Sequence, residues 1–109
     1  RYKRKEIRMK KIVIALATLA SACAFIEPKP GAEKVVLFTP EQASRCAPLG
    51  STKVSVLDRA GFIARDRASV RADLQALARN TAIEMGGDTI AEAGPVSEGQ
   101  QTFNVYRCQ

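Results

Sequence analysis

The chain has 109 residues, three cysteines and a formal charge of +6, and it contains no histidine. That length suits one small domain and not two, and the missing histidine removes His-based triads, general-base histidines and most zinc sites. The charge does not point to nucleic acid, because residues 1–22 hold seven basic residues against one acidic, and ten of each sign remain from Cys23 onward.

Arg1 to Arg8 read as an over-long start or as an extended basic region upstream of Met9. Met9 to Cys23 (MKKIVIALATLASAC) has the build of an export signal ending in a lipid-attachment cysteine. Lys10 and Lys11 precede an apolar run, Ile12 to Leu19, and Ala20-Ser21-Ala22 supply small residues before the cut. The run is shorter than the roughly 20 apolar residues that cross a bilayer. Ordinary signal-peptidase cleavage is the alternative to lipidation. Residues 1–22 are therefore expected to be removed, leaving Cys23 as the first residue of the mature chain. Residues 23–34 then form a lipidated cysteine and a Pro/Gly tether (Ala24–Lys34), which if extended spans on the order of 30 Å. Residues 35–109 form a single domain. With Cys23 lipidated, Cys46 and Cys108 remain as a pair that an oxidising periplasm can join; two free buried thiols are the alternative.

Val35–Thr39 is β-branched and aromatic and closes on Pro40, as a strand does. Glu41–Ala47 is a connection carrying Cys46. Leu49–Leu57 is expected as the second strand, with Thr52, Val54 and Val56 inward and a bulge at Gly50 resetting the register, since Leu49 falls on the other face. Asp58–Arg67 is a polar loop whose Phe62 and Ile63 are expected to fold back onto the core. From Ala68 the period changes: Val70, Leu74, Leu77, Ala78, Thr81 and Met85 make the stripe of an amphipathic helix, with Ile83 off it. Asp66 or Ser69 can cap its start, and Gly86-Gly87 ends it. Asp88–Ala93 and Gln101–Cys108 read as the last two strands, joined across Gly94-Pro95 and Glu98-Gly99. The expected fold class is α+β: one helix on a small, mainly antiparallel sheet in the order β-β-α-β-β, with one disulfide.

Three patterns carry a resemblance. Cys46-x-x-Leu49-Gly50, then Arg79-Asn80-x-Ala82-x-x-x-Gly86-Gly87-Asp88, then Tyr106-Arg107-Cys108 resemble a small bacterial envelope lipoprotein family of unknown function, itself similar to the outer-membrane sensor lipoprotein of the Rcs phosphorelay. The resemblance covers about residues 35–108, and its most specific part runs from the helix through the glycine pair into the strand. The Rcs sensor has two disulfides, whereas this chain after Cys23 has cysteines for one. Ala24 is not aspartate, which the resemblance reads as outward sorting.

No cluster in the sequence has the look of catalytic or metal-binding machinery. Asp58, Asp66 and Asp73 each stand beside arginines, and such mixed charge is usually a solvated face. Cys46 and Cys108 have no evident base, and no metal or other cofactor is expected. Asn80 is the polar residue to watch, and a loop or the helix end is its simplest partner. The expectation is a non-enzymatic, periplasm-facing outer-membrane lipoprotein. It would contact the membrane through its N-terminal lipid, have a structural or protein-binding role with an envelope protein as partner, and bind no nucleic acid. The alternatives are an envelope-stress sensor acting through a partner and a soluble periplasmic binding protein.

Overall fold

A computed structural model describes residues 26–109. The expected signal and the expected lipidation residue Cys23 lie outside the described residues. A 3-10 turn at Ala32–Lys34 leads into β1 (Val36–Phe38), α1 (Pro40–Ala43), β2 (Ala47–Ser55), β3 (Arg59–Ala60), β4 (Ile63–Ala64), α2 (Arg67–Glu84), β5 (Thr89–Glu92) and β6 (Gln100–Arg107). Four strands form one sheet in the order β1-β5-β6-β2, and β3–β4 form a separate two-stranded ribbon.

The long helix follows from a cap and a four-residue repeat. The Asp66 carboxylate accepts the Ser69 N–H at 3.2 Å, satisfying an N-terminal donor that the helix itself leaves free. Val70, Leu74, Ala78 and Ala82 then fall on one side and are all buried. They pack on Val54, Ile90, Phe103 and Val105, which the period-two alternation of β2, β5 and β6 places on one sheet face. Leu77 and Met85 border this core half-buried, as the expected stripe requires. Ile83, off that stripe, is also half-buried against the core, and its Cδ1 would lie 3.6 Å from a Cβ at Gly31 in the N-terminal segment. The bulge occurs where expected: Pro48 pairs with Tyr106 and Gly50 with Val105, so Leu49 is the extra residue.

The structure corrects four expectations. First, the sheet is mixed. β1 runs parallel to β5, and the first two strands stand at opposite edges of the sheet with β5 and β6 between them. The α2 crossover returns the chain beside β1 in the same direction, as helical connections do. Second, the connection before Cys46 contains α1. The Thr39 hydroxyl accepts the Gln42 N–H at 3.2 Å while the Gln42 side chain accepts the Thr39 N–H at 2.8 Å, and Pro40 presets the first turn. Third, Phe62 and Ile63 do not fold back onto the core. Phe62 is fully exposed and Ile63 is 74% exposed. The Arg65 N–H donates to the Asp58 carbonyl at 2.8 Å and closes the base of the ribbon, so the tip around Gly61 points outward.

The fourth correction concerns the tether. From Glu27 the segment lies along α2: Ala32 is buried, and Lys29 pairs with Glu84. An extended spacer over Ala24–Lys34 is therefore replaced, in the part described, by a docked strap. At the other side of the sheet, Ala47 pairs with Arg107, which brings the flanking Cys46 and Cys108 to disulfide-bonding distance with Cα atoms 4.5 Å apart.

Candidate functional site

The residues that carry the sequence pattern converge at the C-terminal end of α2. The Gly86 N–H donates to the Ile83 carbonyl at 3.1 Å and the Gly87 N–H to the Ala82 carbonyl at 2.8 Å, a paired closure in which Gly86 takes a φ of 78°. The two glycines are there for different reasons. Gly86 supplies the left-handed turn. Gly87 supplies room, because a Cβ there would lie 2.5 Å from Val105 Cγ1 and 3.0 Å from the Tyr106 carbonyl oxygen. Leu49, pushed out by the bulge, lies beside that same point, and a Cβ at Gly50 would meet Met85 Cε at 3.0 Å.

Asp88 and Arg107 complete the knot. The Asp88 carboxylate accepts N–H donors from Cys108 at 2.8 Å and Gln109 at 3.0 Å and the Thr89 hydroxyl at 2.9 Å. The Cys108 N–H is the strongest influence holding its pKa below the ordinary 3.8; partial burial opposes it, and Gln109, Thr89 and the Arg107 charge reinforce it. The Arg107 guanidinium donates to the Gly86 carbonyl through Nε at 3.1 Å and Nη2 at 2.6 Å. Within the last two turns of the helix, Arg79 Nε donates to the Val35 carbonyl at 3.1 Å. Asn80 accepts the Lys29 N–H at 2.8 Å and donates to the Glu27 carbonyl at 3.0 Å, so one amide reads both backbone groups of the strap. Each of these polar groups is engaged in holding the fold. Leu49, Gly50, Ala82, Gly86 and Gly87 meet at the helix closure beside the Cys46–Cys108 pair, while Arg79 and Asn80 tie the N-terminal segment to the helix.

At the opposite end of α2 the chain leaves groups unengaged. A cleft of about 590 Å³ opens between the β3–β4 ribbon, the first turns of α2 and the turn from β5 to β6. Arg59, Arg65, Arg67 and Arg71 line it, against Asp58, Glu92 and Glu98. Arg65 is held in place by Asp73 Oδ2 at 2.7 Å and the Leu57 carbonyl at 2.9 Å. Gln101, only 4% exposed, also lines the cleft. Its Nε2 donates to Glu92 Oε2 at 2.8 Å and the Gly94 carbonyl at 2.9 Å, while its Oε1 has no partner among the described residues. Leu57, just before the ribbon, and Phe62 and Ile63 on it are exposed and do not line the cleft. Among the described residues no group of three or more metal-ligating side chains gathers. No helix of the described residues is long and apolar enough to cross a membrane.

Sequence reasoning located the knot and passed over the cleft. The arginines beside Asp58, Asp66 and Asp73 read as solvated charge, and only the hairpin and helix together bring four of them to one opening. Gln101 offered a signal: it shares the inward parity of Phe103 and Val105, and a polar residue on an inward register needs partners.

Residues 26–108 match the family model described as Domain of unknown function (DUF4156), a match that starts just ahead of the docked strap. No curated protein and no solved structure matches the chain.

Proposed function

Because the chain belongs to the DUF4156 family, whose description assigns no activity, we propose its function from its residues: a lipid-anchored, periplasm-facing envelope lipoprotein that works by binding another envelope protein and not by catalysis. The anchor is the acylated Cys23, in the outer membrane. The export-type run Met9–Cys23 supports the anchor, and the resemblance of the Arg79–Asp88 pattern to envelope lipoproteins supports the compartment.

One observation carries the reading beyond location. The chain is docked on α2 from Glu27, four residues after Cys23, so a lipid on Cys23 could stand no more than about 14 Å from the domain. An extended tether would have allowed twice that. Asn80 would then lie at the membrane end of α2. The cleft, some thirteen residues or about 20 Å back along the helix, would be presented away from the point of attachment. Such an arrangement suits a domain that offers one end to a partner while the other is fixed.

Two measurements test this. Mass analysis of the N-terminal peptide should find residues 1–22 removed and Cys23 diacylglyceryl-modified. Cys23→Ser should leave the domain folded but move it from the membrane fraction to the soluble one, where it should fail to complement a deletion strain. Full complementation by the soluble protein would sink the anchored reading.

A further inference from the structure

We propose that the cleft at the N-terminal end of α2 binds a short linear segment of a partner protein in which one or two carboxylates stand beside an apolar residue. This rests on the protein-binding reading above and adds the chemistry of the partner.

Three features call for three kinds of group, and a peptide of this kind carries them together. Arg59, Arg67 and Arg71 face the cleft and form no ion pair among the described residues, which calls for an anion. Carboxylates meet guanidinium groups in a planar, two-bond geometry. Gln101 Oε1 is a buried acceptor with both of its amide protons already committed to Glu92 and Gly94, so its orientation is fixed and it calls for a donor such as a peptide N–H. Phe62 and Ile63, on the ribbon whose Arg59 and Ala64 line the cleft, and Leu57 just before that ribbon are exposed outside the lining itself, which calls for an apolar side chain flanking the bound carboxylates.

Other occupants satisfy fewer of these. A simple inorganic anion offers these apolar side chains nothing. A membrane surface could take up Phe62 and the arginines but could not enter a cleft floored by Gln101. Asp58 and Glu98 line the same cleft and repel a dense polyanion, so the charge on the ligand should be local and small. That also argues against nucleic acid.

The test uses the full chain purified from whichever cell fraction holds it, with detergent if that is the membrane, and a display library of random linear ten-residue peptides as the probe. Enriched peptides should carry Asp or Glu next to Phe, Leu, Ile or Met. Measured by fluorescence anisotropy, their Kd should rise at least tenfold with the double variant Arg67→Glu/Arg71→Glu and at least threefold with Phe62→Ser, and added salt should weaken them. All three positions are exposed, and unchanged melting curves will show that the variants fold. No enrichment would overturn the proposal, as would enriched peptides lacking carboxylates or affinities untouched by the charge reversal. Binding to phosphatidylglycerol vesicles that the peptides do not compete with would overturn it in favour of a membrane contact. Peptide binding does not depend on the state of Cys23, so an unmodified cysteine would sink the anchor while leaving this result standing.

Discussion

The two ends of α2 are built on opposite principles. At the C-terminal end, within a few residues, the chain gathers a helix closure, a glycine pressed against β6, a carboxylate with three donors, an arginine on a carbonyl and the Cys46–Cys108 pair. At the N-terminal end, a two-stranded ribbon stands out from the body, its tip apolar side chains face solvent, and a buried amide oxygen lacks a partner among the described residues. The pattern that is most specific in the sequence belongs to the tied end. The groups free to recognise something belong to the other. A motif can therefore mark a family through what holds its fold and say nothing of the groups that the fold leaves unengaged.

If this contrast is right, damage at the tied end should cost stability and damage at the free end should not. The largest effect should come from the cysteines. A bridge between positions 62 apart restrains the unfolded chain by roughly 4 kcal/mol in the loop-entropy treatment, a large share of the stability of so small a domain. Reduction, or Cys46→Ser with Cys108→Ser, should lower the urea midpoint accordingly. Two freely alkylatable thiols in periplasmic material would remove the bridge from the account.

The glycine pair should divide next. Gly87→Ala forces a methyl group into Val105 and the Tyr106 carbonyl and should cost about 2–3 kcal/mol, as overpacking does. Gly86→Ala strains only the backbone and should cost about 1 kcal/mol. Equal losses in chemical denaturation would mean that the two positions do not have separate reasons.

Asp88 sharpens the comparison through pH. Its folded pKa lies below the unfolded value, so the stability it contributes is present above the unfolded pKa and is lost as pH falls through the lower, folded one. Asp88→Asn should therefore melt below the wild type at pH 7, and the gap should close as the pH drops below the ordinary carboxylate range. A gap that persists undiminished at pH 2 would show that its charge is not what holds the C-terminus.

The smallest stability effect belongs to the free end. Phe62→Ser removes a fully exposed ring and should shift unfolding by less than about 0.5 kcal/mol. A loss of 2 kcal/mol or more would place Phe62 in the core and erase the distinction between the ends.

Much of the tied end was legible. The glycine stop and the bulge at Gly50 are local, as is the four-residue recurrence of Val70, Leu74 and Ala78 that runs along the helix from the other end, and local sterics and periodicity determine all three. α1 was equally local, since Thr39-Pro40-Glu41-Gln42 is a capping signature ahead of a short turn, yet one turn has no apolar repeat to announce it. The docked strap was not legible. Pro28, Lys29 and Pro30 look like a spacer until Asn80, about fifty positions away, supplies a partner for both backbone groups. The Phe62–Ile63 pair misled for the converse reason: hydrophobicity argues for burial, but the core is completed by other side chains and the Arg65 N–H to Asp58 carbonyl bond closes the ribbon on itself, leaving its tip in solvent.

By itself the sequence determined the α+β class, the extent of the long helix to within a residue or so and its closure at Gly86-Gly87, and it offered Cys46 and Cys108 as a pair, which the structure brings to disulfide-bonding distance. All of these depend on interactions between near neighbours or on counting. Only the tertiary structure decided that β1 joins the sheet parallel to β5, that residues from Glu27 onward belong to the domain, and that four arginines and Gln101 share one cleft. Those outcomes depend on which surfaces remain unfilled once the helix has met the sheet. No local preference encodes that, because the competing arrangements differ only in contacts between residues far apart in the chain.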